Sequence, residues 1–189
     1  MDDLGRACAV VGDLIERIGA DEWTAATPCT EWSVRDVVAH LVGMNLVFVA
    51  MLEQTPLPER GVDRLGADPT AAFRRSATAL QAAADRPGVL DEAQTTPVGA
   101  ATGAERLQWR IADLLVHGWD LAQATRVPVE LPADLVEQAF TFVGTHLPSQ
   151  SRSGRFAGAQ PIADNAPAID RLAAFTGRAV PWPAPSPTS

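Results

Sequence analysis

Residues 104–125, AERLQWRIADLLVHGWDLAQAT, constrain this chain more than any other stretch. Wound at about 100° per residue, Leu107, Ile111, Leu114, Gly118 and Leu121 form one broad apolar face. Trp109, Leu115, Val116 and Trp119 spread apolar surface over most of the rest. A helix apolar on nearly all sides belongs at the centre of a fold, surrounded by other elements.

The remaining segments supply those elements as helices. Leu4, Cys8, Val11, Ile15 and Ile18 recur at helical spacing and predict a first helix over about 3–19. Ser33 and Asp36 make a capping-box pattern, with Trp32 placed as a staple, and open a second helix running to about Glu53. Pro56, Pro58, Gly61 and Gly66 mark a connection. Asp68-Pro69 then starts a third helix, with Phe73, Ala77, Leu80 and Ala84 on one face, which Pro87-Gly88 ends.

Residues 89–103 lack a helical period and fit a short strand or an ordered crossover loop. Pro132 opens a fifth helix to about His146. Irregular chain at 148–165 and a short helix at 166–176 follow, with Gly177 as its stop. Nothing demands a sheet. The expectation is an all-α four-helix bundle with additions: one domain over 1–182 and a disordered Pro/Ser-rich tail at 183–189.

A net charge of −8 argues against nucleic-acid and anionic-membrane partners, which want a basic face. The apolar run Val37–Leu52 is interrupted by His40, Gly43 and Asn45, and falls short of the roughly 20 apolar residues of a membrane span. Met1-Asp2-Asp3 lacks the basic start of a signal peptide. Cys8 and Cys29 form no CxxC pattern and read as reduced thiols, so the expected setting is cytoplasmic.

The chemistry sits inside the most hydrophobic helices. Of the 3 histidines, two interrupt apolar runs: His40 in TPCTEWSVRDVVAHLVG and His117 in ADLLVHGWDLA. Arg110, Asp113, His117 and Asp120 form one stripe, and Asp113 and His117, at i and i+4, project together. A buried carboxylate costs several kcal/mol unless it is paired or binds a metal. Three readings stand side by side: an Arg110–Asp113 ion pair, an Asp113–His117 hydrogen-bonded pair, or two ligands of a divalent metal with His40 as the third. The third reading gives the ligand count of a catalytic zinc site, three protein groups and one open position.

TPCTEW-S-VRDVVAHLVG and DLLVHGWDLAQAT together resemble the mycothiol-dependent maleylpyruvate isomerase-like proteins, within the DinB-like superfamily of metal-binding bundles. The tail RSGRF…APAIDRLAAFTGRAVPW resembles the same family, so the likeness covers about residues 5–182. It implies an up-down-down-up bundle with a long crossover and extra C-terminal helices. It also implies a divalent ion, zinc first, held by His40, Asp113 and His117. Asp113 stands where many relatives carry Glu or His. The implied chemistry is thiol-dependent isomerisation or transfer, with mycothiol as the cosubstrate and a small electrophile as partner. A homodimer is compatible with such a bundle.

Arg110, Asn45 and Asp120 are candidate pocket residues, Asp120 also as an acceptor for a ligating histidine. Arg110 and Arg155 offer charge for an anionic substrate. Cys29 reads as a small buried hydrophobe, His146 as a helix-end residue, and Trp32 and Trp119 as core. Two functions compete: a metal-dependent thiol transferase or isomerase, and a non-catalytic metal- or small-molecule-binding protein, with a metal-dependent hydrolase as a further variant. A fourth protein ligand, Cys29 above all, would favour the structural reading.

Overall fold

The computed structural model describes residues 2–96, 99–147 and 156–183. The helices are α1 (Asp3–Glu16), α2 (Val34–Glu53), α3 (Pro69–Ala84), α4 (Gly103–Thr125), α5 (Ala133–His146) and α6 (Ala168–Phe175). A two-stranded antiparallel hairpin, β1 (Ala93–Thr96) and β2 (Gly99–Thr102), joins α3 to α4. The protein is an all-α bundle of the DinB-like kind, and this hairpin occupies the stretch that lacks helical period.

Side-chain pairings fix the helix directions. Arg74 reaches Glu16 and Gln81 reaches Asp2, so α1 and α3 run antiparallel. Met51 meets Arg106, and His40 meets Asp113, so α2 and α4 are antiparallel as well. Val11 lies against Gly118 and Arg17 donates to the Pro128 carbonyl, which makes α1 and α4 parallel. The order is therefore up-down-down-up, and residues 54–68 form the long crossover between the parallel pair α2 and α3. Helices α5 and α6 pack on each other and on α4.

Local chemistry sets the helix starts. Ser33 and Asp36 form the full capping box of α2, and Thr102 and Glu105 form another for α4. Asp68 accepts from the Ala71 amide with Pro69 in the first turn of α3. The first helix stops at Glu16, earlier than its apolar spacing implies. Arg17 caps it, and Ile18 is buried from the turn that follows.

The core gathers Leu14, Ile15, Leu41, Leu80, Leu114, Leu115 and Leu121, all essentially inaccessible to solvent. Residues Leu107 to Leu121 of α4 are almost all buried, as its all-round apolar surface requires. By length and composition α2 is apolar enough to cross a membrane. In the fold the buried side of α2, which includes Val37, Val38, Leu41, Val42 and Phe48, packs on α3 and α4.

Gly103 is the tightest point of the α3–α4 junction, where a Cβ would lie 2.3 Å from the Val89 carbonyl oxygen. Gly144, in α5, has nothing within 4 Å of such a Cβ. Gly103→Ala should cost about 1–3 kcal/mol through overpacking against backbone. Gly144→Ala should instead stabilise by about 0.5–1 kcal/mol through helix propensity. Denaturant midpoints of the two variants check the contrast; equal shifts would contradict the close approach at Gly103.

Candidate metal centre

The site forms where α2 crosses α4. His40 Nε2 lies 3.2 Å from Asp113 Oδ1, and His117 Nε2 lies 3.5 Å from that same oxygen. One ligand atom from each of the three residues falls within 4.8 Å of the others. The His40 and His117 rings meet edge to face with centroids 4.8 Å apart. The side chains of His40 and Asp113 are 25% and 28% exposed, whereas that of His117 is 7% exposed, so the cluster opens to solvent on one side only.

Everything behind the cluster is closed and hydrogen-bonded. Asp113 uses its other oxygen, Oδ2, to accept from Arg110 Nη1. Arg110 is 0% exposed, donates through Nε to Asn45 Oδ1 at 2.9 Å and through Nη2 to the Leu41 carbonyl at 2.9 Å. Asn45 in turn donates to Ser76 Oγ on α3, which donates to the Phe73 carbonyl. A polar seam thus runs from the centre across α2 to α3, every link satisfied.

His117 Nδ1 lies 2.9 Å from Asp120 Oδ2, and Asp120 is 0% exposed. Arg178, in the turn after α6, grips that carboxylate with two donors, Nε to Oδ1 at 3.2 Å and Nη2 to Oδ2 at 2.8 Å. A carboxylate can only accept, so Nδ1 of His117 carries a proton and donates it. In the neutral ring, Nε2 then holds a bare lone pair aimed at the Asp113 carboxylate. That juxtaposition is repulsive unless a cation, a proton or a metal ion, stands between them.

The titration follows from this. Burial alone lowers the pKa of His117, but the Asp113 charge and the hydrogen bonds to Asp113 and Asp120 outweigh it, raising the value to about 9. Burial likewise pushes Asp113 up, and the two imidazoles overcome it, holding the carboxyl well below its usual range. Burial pushes the Cys29 thiol up to about 11, so it is protonated at neutral pH.

Of the residues singled out from sequence, His40, Asp113 and His117 are brought together at the open face. Arg110, Asn45 and Asp120 lie directly behind them, engaged with protein partners. Cys29 groups with His117 and Asp120; among the described residues no set joins it to His40 and Asp113. Trp32 covers both imidazoles, with centroids 4.9 Å from His40 and 5.8 Å from His117, so it is a wall of the site and not core alone. Trp119 packs away from the centre and donates to Asp170. His146 bonds its own helix at the Phe142 carbonyl. Arg155 lies outside the described residues.

Arg178 and Ser76 had no place in the sequence reading. Ser76 reads as one more polar residue of a surface helix. For Arg178 one signal exists: it sits just past the Gly177 stop inside the family-like tail, but nothing local says that it folds back onto α4.

The family model described as the mycothiol maleylpyruvate isomerase N-terminal domain matches residues 4–122, which include all three clustered residues. Two uncharacterized proteins of Mycobacterium tuberculosis, from strains CDC 1551 / Oshkosh and ATCC 25618 / H37Rv, are each 31% identical over 178 residues, 93% of this chain and 95% of theirs. No solved structure matches the chain significantly. On the match across α1 to α4, the chain belongs to the mycothiol maleylpyruvate isomerase N-terminal domain family.

Proposed function

We propose that this protein binds one divalent ion, zinc in the first instance, through His40, Asp113 and His117, and uses it in thiol-dependent transfer or isomerisation. The observation that carries the reading is the convergence of His40 Nε2 and His117 Nε2 on the single oxygen Asp113 Oδ1, with Nδ1 of His117 already engaged by Asp120. The spacing agrees: zinc–ligand distances of about 2.0–2.1 Å in a tetrahedral site separate neighbouring ligand atoms by about 3.4 Å. The observed separations from Asp113 Oδ1 are 3.2 and 3.5 Å. Arg110 on Oδ2 leaves Asp113 one oxygen to give, so its shorter side chain serves as a single-point ligand.

The donor set supports an open site. Two imidazoles and one carboxylate suit zinc, and three protein ligands leave a further position for a small molecule. Among the described residues Cys29 sits on the Asp120 side of His117 and is not grouped with His40 and Asp113. A zinc ion held here would supply a position at which a soft thiol sulfur binds as its thiolate. The chain's own groups do the rest. Asp120 orients His117, Arg110 orients Asp113, and Trp32 walls the face at which an electrophile would approach. Mycothiol is the thiol that the family description suggests. Two free cysteines suit a reducing, cytoplasmic setting.

Purified protein should carry close to one divalent ion per chain by elemental analysis, and His117→Ala should lose it. Full retention of metal in that variant would exclude the site. Chelation should lower the melting temperature while leaving a helical far-ultraviolet spectrum, since the apolar core does not depend on the ion. Collapse to coil would mark the metal as structural. With cobalt bound, millimolar mycothiol or a surrogate thiol should produce a sulfur-to-cobalt charge-transfer band. A spectrum that no thiol perturbs would move the assignment to a metal-dependent hydrolase or a binding protein.

The ion must displace the His117 proton, whose pKa in the metal-free fold is about 9. Binding at pH 7–8 should therefore release about one proton from this ring, and affinity should rise with pH until about 9. The same raised value stabilises the metal-free fold fully below about pH 6.5, an effect lost as pH rises through 9. Calorimetric titration with zinc in two buffers of different ionisation enthalpy reads the proton count. No net release at pH 7 would contradict protonation of His117 in the metal-free site.

A further inference from the structure

Arg178 is bound to the centre by an unusual arrangement of charge. The left-handed Gly177, at φ +103°, turns the chain after α6, and the Arg178 amide bonds back to the Ala173 carbonyl. The side chain is thereby delivered to Asp120, on a different helix, and it also reaches the Thr176 carbonyl at 3.2 Å. Orienting His117 needs only a neutral acceptor at Nδ1, which an amide or a backbone carbonyl would supply. The protein instead buries a full carboxylate there and a full guanidinium behind it, a costlier solution.

The charges explain what this achieves. Asp113 and Asp120 contribute two negative charges beside the ring of His117, and Arg110 and Arg178 contribute two positive ones in direct contact with them. The four cancel, so a divalent ion placed among His40, Asp113 and His117 keeps its double positive charge. Without Arg178, Asp120 would stand one imidazole away from the ion with its charge uncompensated, and would repel an anion arriving at the solvent-facing position.

We infer that Arg178 is a specificity-determining positioning residue which, acting through Asp120, makes the loaded site select an anionic ligand, a thiolate or carboxylate, over a neutral one. The inference rests on the metal reading above. It assigns to the C-terminal segment, which follows a helix packed on α4 and α5, a part in choosing what binds at the α2–α4 crossing.

The test compares cobalt-loaded wild type with Arg178→Gln, Arg178→Lys and Asp120→Asn, at saturating cobalt. Azide serves as the anionic probe and imidazole as the neutral one, both titrated by visible absorption. Arg178→Gln should weaken azide about tenfold, the effect of one partly screened charge at this range, and leave imidazole within about twofold. Arg178→Lys should restore azide affinity. Asp120→Asn, which removes the negative charge and keeps Arg178, should tighten azide. Unchanged azide affinity in Arg178→Gln, or azide and imidazole weakening together, would overturn the inference, since a merely structural clamp acts on both. Should Arg178→Gln fail to fold, Asp120→Asn decides alone: azide no tighter than in wild type overturns the role. Wild type that shows no cobalt spectrum brings down the metal reading and this inference with it. A normal wild-type spectrum with charge-insensitive variants brings down this inference only.

Discussion

Two carboxylates on an apolar helix, one buried and one half-buried, are the constraint on which the rest depends. Asp113 and Asp120 lie on α4, which packs against α1, α2, α5 and α6, and Asp120 is 0% exposed. An isolated charge at such a depth costs several kcal/mol, so each must find a cation. Asp113 finds Arg110 and Asp120 finds Arg178. The two arginines cannot satisfy these acids without organising their surroundings. Arg110 needs Asn45 and the Leu41 carbonyl of α2 to fill its remaining donors, and Asn45 needs Ser76 of α3. Arg178 needs the turn after α6 to reach inward. Electrostatic necessity on one helix thus ties α2 and the turn after α6 to it directly, and α3 through Asn45.

The same arrangement divides the centre into a sealed half and an open half. Behind the imidazoles all polar groups are matched, so orientation is set before any ligand arrives, which is the condition for a rigid site. In front, His40 and Asp113 are part-exposed under the Trp32 ring. The TPCTEW turn that carries Trp32 is tied by the Thr27 hydroxyl to the Cys29 and Trp32 carbonyls, with Glu31 in the left-handed region at φ 70°. A strained non-glycine residue held in place by its neighbours is a frequent companion of a functional wall. Here it places an aromatic face beside the open position. The pKa of His117, raised to about 9, is the electrostatic counterpart of this geometry: where the metal-free fold holds a proton, the loaded fold would hold an ion.

The helices were legible because period and punctuation agree along the chain. Ser33 with Asp36 and Asp68 with Pro69 mark starts that need only three or four consecutive residues to form. The all-round apolar surface of 104–125 called for a central helix, and α4 is buried along nearly its whole length. The Asp113–His117 pair was legible for a similar reason, since i and i+4 share a helix face whatever surrounds it. Less visible was the end of α1. Apolar spacing continues to Ile18, but a buried side chain after the turn keeps the pattern while the backbone has already left the helix.

What the sequence by itself determined is everything that depends on neighbours within a turn or two of helix: the elements, their caps, the apolar stripes, and the carboxylate and imidazole set side by side on α4. What only the tertiary structure decided is which groups from distant segments complete the centre. His40 approaches Asp113 across 73 positions of sequence, Arg178 reaches Asp120 across 58, and Trp32 closes over both rings from a loop. It also decided that Arg110 and Asn45 face each other inside the bundle, donors and acceptors for one another behind the site's open face. The physical reason is range. Helical geometry is set by local sterics and backbone hydrogen bonds, whereas the pairing of buried charges is a choice among all the residues that packing brings within hydrogen-bond distance.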